Sequence, residues 1–116
     1  MVAEADLWRY FSPDYVIARQ RFLEACEKAN AELTTLTLSV RGPSEERLSI
    51  DVAYIGPNSP KRLLIHTSGI HGVEGFPGSG VQVRLLERCA EGELQISDDT
   101  GLMIAHAINP YGFAWL

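Results

Sequence analysis

The run His66-Thr67-Ser68-Gly69-Ile70-His71-Gly72-Val73-Glu74-Gly75 holds the residue types best suited to chemistry in this chain. The imidazole at 71 and the carboxylate at 74 stand three positions apart, where an apolar strand read at Arg62 to Ser68 gives way to a glycine-rich turn. Residues leaving the carboxyl end of a strand in an open α/β sheet line the crevice where such sheets bind ligands. There a histidine nitrogen and a glutamate oxygen can converge on one cation, a donor pair that zinc accepts. The plain alternative is a surface loop. In that case His71 bonds only to the turn backbone, and Glu74 favours the start of the next helix through the helix dipole. Spacing alone leaves both readings open.

The stretch Ser68-Gly69-Ile70-His71-Gly72-Val73-Glu74-Gly75-Phe76-Pro77-Gly78-Ser79-Gly80-Val81-Gln82, followed by Asn109-Pro110-Tyr111-Gly112-Phe113, resembles the zinc carboxypeptidase superfamily. More narrowly it resembles the bacterial branch of that superfamily known as DUF2817. The resemblance runs from about Pro13 to the last residue. The positions themselves put Gln82 early on the helix behind the site, as a group supporting the ligands, and make Asn109-Pro110-Tyr111-Gly112 a turn that shapes the site floor, with substrate contact by Asn109 as the alternative. The resemblance implies that His71 and Glu74 are two of three protein ligands to one Zn2+ ion. It also implies a downstream histidine ligand, an Asn-Arg pair for a substrate carboxylate and a late glutamate base. None of these has a counterpart before Leu116.

The expectation is therefore a partial domain over residues 1–116, the amino-terminal portion of a zinc carboxypeptidase-like α/β/α fold. No catalytic residue is identifiable in it. The activity so implied is zinc-dependent hydrolysis of an amide, in a small peptide or an N-acyl amino acid, by a longer parent. The isolated fragment is expected to be inactive, because catalytic zinc sites use three protein ligands plus water. A rival from another class is a non-catalytic fragment that self-associates or docks to a partner through an exposed apolar C-terminal edge.

Other residues invite chemistry and are better read otherwise. His66 and His106 lie inside apolar strands and read as core or supporting groups. Gly75 to Gly80 before a helix hints at an anion cradle, but the Gly-Lys-Ser/Thr ending of a phosphate loop is absent. Ser68 and Ser79 near His71 lack the Gly-x-Ser-x-Gly elbow of a serine hydrolase.

The elements that position these groups follow from periodicity. Ser12 reads as an N-cap with Pro13 at the first helical position. Tyr15, Ala18, Phe22, Cys26, Ala29 and Leu33 then draw one apolar stripe, with Arg19 and Arg21 on a solvated face. Leu36, Leu38 and Val40, then Leu48, Ile50, Val52 and Tyr54, alternate with small or polar residues. They read as two strands of a hairpin, each with one buried face. Arg62 to Ser68 is nearly continuous in apolar residues, as a strand covered on both faces would be. A second helix starts near Pro77, with Val81, Leu85 and Cys89 one turn apart and a stop at Gly92. Leu102 to Ile108 is a further buried strand, reached by a right-handed crossover. The sum is a mixed β-sheet flanked by helices, in one unit without repeats or linkers.

Composition narrows the function classes. The formal net charge of −5 argues against non-specific nucleic-acid binding. No apolar run is long enough to span a membrane, and the acidic opening has no apolar stretch of the kind secretory signals carry. Cys26 and Cys89 read as buried thiols of a reducing compartment, so the expected location is cytoplasmic.

Overall fold

The computed structural model describes residues 4–116. The first three residues of the acidic opening lie outside the described residues. A short 3-10 helix, Glu4–Tyr10, leads into α1 (Tyr15–Lys28), β1 (Glu32–Arg41), β2 (Arg47–Ile55), β3 (Arg62–Thr67), α2 (Gly75–Ala90), β4 (Thr100–His106) and α3 (Pro110–Ala114). The four strands form one mixed sheet in the order β1-β2-β4-β3. β1 and β2 pair as the expected antiparallel hairpin, β2 pairs antiparallel with β4, and β3 pairs parallel with β4 through α2.

α1 and α2 pack against each other and on one face of the sheet, enclosing the core. Phe22 and Cys26 come from α1, Val83 and Leu86 from α2, and Ala53, Leu102 and Ile104 from the strands beneath. A second cluster closes the end of the sheet where the crevice lies. It brings Tyr15 and Ala18 together with Leu48, Ala107 and Phe113, and the Tyr15 and Phe113 rings meet edge to face.

Several local expectations are corrected. The N-cap of α1 is Asp14, not Ser12. Asp14 has extended backbone, and its carboxylate accepts from the Ile17 amide at 2.9 Å, so the helix starts two residues later than Pro13. The apolar stripe of α1 stops at Ala29, the C-cap, and Leu33 belongs to β1. In α2 the buried face is Gly75, Ser79, Gln82, Val83 and Leu86, whereas Val81 is exposed and Cys89 half-buried. Small and polar residues occupy that face because backbone and side chains of β3 and β4 bond to it directly. Gly92, with φ +75°, follows the C-cap as expected.

Leu48 is buried as alternation suggests, but from Ser49 onward the buried face of β2 is reversed. Ser49, Asp51 and Ala53 point under the helices and are buried, while Ile50, Val52 and Tyr54 lie half-buried on the opposite side. Partners explain the inversion. The Tyr15 hydroxyl bonds both the carbonyl and the amide of Ser49, and Thr37 bonds the Ser49 hydroxyl. Arg19, read as solvated, instead grips the buried Asp51 through two bonds of 2.7 and 3.0 Å, and Thr35 adds a third at 2.7 Å. β3 likewise departs from its pattern. It is an edge strand, and Leu63, Leu64 and Ile65 are exposed rather than covered on both faces.

Candidate metal centre

The carboxyl ends of the parallel pair β3–β4 position the turn that carries His71. Beyond the strands the two backbones stay joined, with Ile108 N–H donating to the Ser68 carbonyl and Asn109 N–H to the Gly69 carbonyl, both at 2.9 Å. Gly69 takes φ +66°, where a Cβ would sit 3.2 Å from Ala107 Cα, so a side chain there would be both strained and crowded. Ala107 opposite it has φ +50°, a conformation that costs a non-glycine residue about 1–2 kcal/mol. Its amide is held at 3.0 Å by the Ser68 hydroxyl. Such strain persists only where surrounding contacts fix it.

The turn then closes as one 3-10 step, Gly72–Glu74, with Glu74 N–H donating to the His71 carbonyl. This brings His71 Nδ1 and Glu74 Oε1 to 3.1 Å. Both side chains face solvent, at 78 % and 56 % exposure, so neither is committed to the core. The His71 imidazole beside it holds the Glu74 carboxyl below its ordinary range. Zinc fits this pair. Two ligands ~2.0–2.1 Å from one tetrahedral ion sit about 3.3 Å apart, and an imidazole nitrogen with a carboxylate oxygen is a donor set the ion accepts. Among the described residues no group of three or more His, Cys, Asp and Glu is close enough to hold a metal.

The other two expected site residues support the turn instead of facing outward. Gln82 is fully buried on α2. It accepts from the Ser68 hydroxyl at 2.8 Å and donates to the Ala105 carbonyl at 3.0 Å, with His66 Nδ1 at 3.2 Å. One side chain thus ties α2 to both parallel strands just below the turn. Asn109 caps α3, accepting from Gly112 N–H at 2.9 Å, and donates to the Ile70 carbonyl at 3.3 Å. Its amide oxygen caps α3 while its amide nitrogen reaches the His71 turn. The segment read as an Asn-Pro-x-Gly turn is therefore the start of a short helix.

His106 is a core residue as expected. It stacks on Phe22 with ring centroids 4.5 Å apart, and its Nε2 lies 2.8 Å from the Ser79 hydroxyl. Burial pushes its pKa down to about 4, so the ring is neutral. A serine and a histidine at hydrogen-bond distance resemble a nucleophile and its base, but both are buried, with Phe22 stacked on the histidine, and no substrate reaches them. Ser68 is spent on Gln82 and Ala107. The glycine run 75–80 lies inside α2, so it forms no anion-binding loop.

Sequence reading missed the Arg19–Asp51–Thr35 cluster. Its one sequence-level trace is an aspartate in the middle of the apolar run Leu48 to Tyr54, a position that requires a buried partner.

Solved structures share this fold. A Fimbriiglobus ruber glutaminyl cyclase superposes with TM-score 0.56 at 14 % identity, over 88 % of this chain and 41 % of its own. A Macrostomum lignano glutaminyl cyclase gives 0.55 at 15 %, over 82 % and 31 %. A Zn-dependent exopeptidase from Parabacteroides distasonis gives 0.53 at 12 %, over 88 % and 42 %. At these identities the likeness concerns the fold alone, a mixed sheet flanked by helices, and the chain spans less than half of each. No curated protein matches the chain. Residues 11–116 match the family described as Protein of unknown function (DUF2817), and the chain belongs to that family.

Proposed function

We propose that the His71–Glu74 turn contributes two ligands to one zinc ion in a domain that hydrolyses an amide, in the manner of a metallocarboxypeptidase or an N-acyl amino acid deacylase. The observation that carries this reading is the solvent-facing imidazole–carboxylate pair at 3.1 Å, placed at the carboxyl end of a parallel strand in a zinc-exopeptidase-like fold. When bound, zinc polarises a carbonyl and lowers the pKa of a bound water. This chain's own residues build the platform. His71 and Glu74 bind, Ser68 and Gln82 fix the end of β3 from below, and Asn109 holds α3 against the turn. A catalytic zinc uses three protein ligands, so this proposal places the third ligand and the general base outside the described residues. Two free thiols, with the buried Cys26 pushed up to about 12 and so inert, support a reducing, cytoplasmic setting. Among the described residues no helix is long and apolar enough to cross a membrane.

The test is a Zn2+ titration followed by NMR on wild type and His71→Ala. The reading requires one ion to move the His71 and Glu74 resonances and the variant to lose that response. Zinc that leaves both unmoved would remove the proposal.

A second reading, docking without catalysis, cannot use the C-terminal strand β4, which β2 and β3 pair on both sides, and rests on β3 instead. Its outer edge is unpaired, and Leu63, Leu64 and Ile65 lie bare on both faces. Such an edge templates pairing with another chain. Sedimentation showing a monomer at micromolar concentration would remove it.

A further inference from the structure

Resting on the zinc reading of the His71–Glu74 turn, we infer that the substrate presents an apolar or aromatic group, not a charged one, next to that pair. The two segments that border the pair are devoid of other charge. Between residues 67 and 83 the only ionisable side chains are His71 and Glu74, and residues 107–116 contain no Lys, Arg, Asp, Glu or His. The first charged residue of α2, Arg84, lies nine positions beyond Gly75, roughly 13 Å along the helix, and is occupied with Glu91 and Glu93.

What borders the pair is apolar and open. Ile70 and Val73, on either side of His71, are 54 % and 66 % exposed. Tyr111 and Trp115 stand on the adjoining α3 with ring centroids 5.8 Å apart, both about half exposed. α3 is fixed against the turn, because Asn109 donates to the Ile70 carbonyl and a Cβ at Gly72 would strike the Gly112 carbonyl. Single exposed apolar residues need no explanation. Four on two abutting segments around a solvent-facing donor pair form a surface that a ligand can cover. Away from the His71–Glu74 pair and its ion, a carboxylate or ammonium laid over Ile70, Val73, Tyr111 and Trp115 would be desolvated with no charged side chain on these two segments to meet it, whereas a phenylalanine- or leucine-like side chain is desolvated at no such penalty.

The experiment uses two N-acyl amino acids as probes on the Zn2+-loaded protein, N-acetyl-L-phenylalanine and N-acetyl-L-aspartate. Zinc is added first, and the His71 resonances report whether the metal reading stands before any probe is present. With zinc in place, the phenylalanine probe is expected to bind about tenfold or more tightly than the aspartate probe, shifting Ile70, Val73 and the Trp115 indole. Val73→Ser is expected to weaken the phenylalanine probe about fivefold while leaving the zinc response of His71 intact. Equal binding of the two probes, tighter aspartate binding, or shifts confined to other parts of the molecule would overturn the inference with the metal reading preserved. Absence of any zinc response at His71 would overturn the metal reading and the inference together.

Discussion

Two polar regions of this molecule meet at Ser68, next to the turn that carries His71, and behave in opposite ways. In the seam between the helices and the sheet, Asp51, Ser49, Ser79, His106, Ser68 and Gln82 are buried and bonded to protein groups from other elements. At the crevice, His71 and Glu74 are exposed and bond side chain to side chain only with each other. A buried polar atom bonded internally is structural, since its bonds offset its desolvation; in this set only His106 Nδ1 is without a partner, and burial closes it to a ligand. A pair held in place by backbone, with its outer lone pairs toward solvent, is available for binding. The difference separates the Ser79–His106 couple, which is closed off by burial, from the His71–Glu74 couple, which is open to solvent.

The sharpest way to break that contrast is to remove one member of the seam. Arg19→Ala leaves the Asp51 carboxylate fully buried with only Thr35 beside it. Breaking a buried pair in this way costs about 4 kcal/mol. Asp51→Ala should cost less, because Arg19 is partly exposed and can rehydrate. Urea unfolding midpoints of the two variants check the order. A smaller loss for Arg19→Ala would mean that Asp51 is not held as an ion.

His106 gives the next largest effect and a pH signature. Its folded pKa of about 4 lies below the ordinary 6.5, so above pH 6.5 the ring is neutral in folded and unfolded chains alike. As pH falls from 6.5 toward 4, the unfolded chain takes up a proton that the folded one refuses, and stability is lost. The full loss is about 3 kcal/mol. The wild-type curve should steepen over that window relative to His106→Gln, and parallel curves would show that the ring is not buried neutral.

Gln82→Leu keeps much of the side-chain volume but leaves the Ser68 hydroxyl and the Ala105 carbonyl short of a partner. The expected loss is about 2 kcal/mol, with faster hydrogen exchange at the Ala107 amide that Ser68 anchors. Unchanged exchange there would show that the clasp does not hold the end of the strand.

The same contrast explains what could be read from the sequence. The order of strands and helices was legible, because hydrophobic period and turn residues are local properties. So was the His71–Glu74 pair, since three residues in one turn need no knowledge of the fold. The buried side of β2 was not. Its polar residues are satisfied by Tyr15, Arg19, Thr35 and Thr37, each at least 12 positions away. A hydropathy pattern has no access to such partners, and it assigned the apolar side to the core. β3 reads as doubly covered because it is apolar throughout, yet in this structure it is an edge. The Gln82–Ser68 clasp, 14 positions apart, was visible only as a glutamine early on a helix.

The smallest effect tests the crevice itself. If His71 and Glu74 are free of structural duty, His71→Ala and Glu74→Ala should leave the unfolding midpoint where it is. Their mutual bond is an exposed pair three residues apart, a type that contributes little because both side chains stay hydrated when it breaks. The turn does not depend on it, since Glu74 N–H bonds the His71 carbonyl and Asn109 holds Ile70 whatever the side chains are. The two variants should therefore match wild type in urea while losing the zinc response, the reverse of Gln82→Leu, which should be less stable and retain His71 and Glu74. A marked drop in the midpoint for either crevice variant would place the pair among the structural polar groups. The donor pair would then belong to the same class as Ser79 and His106, and the availability argued for it would be withdrawn.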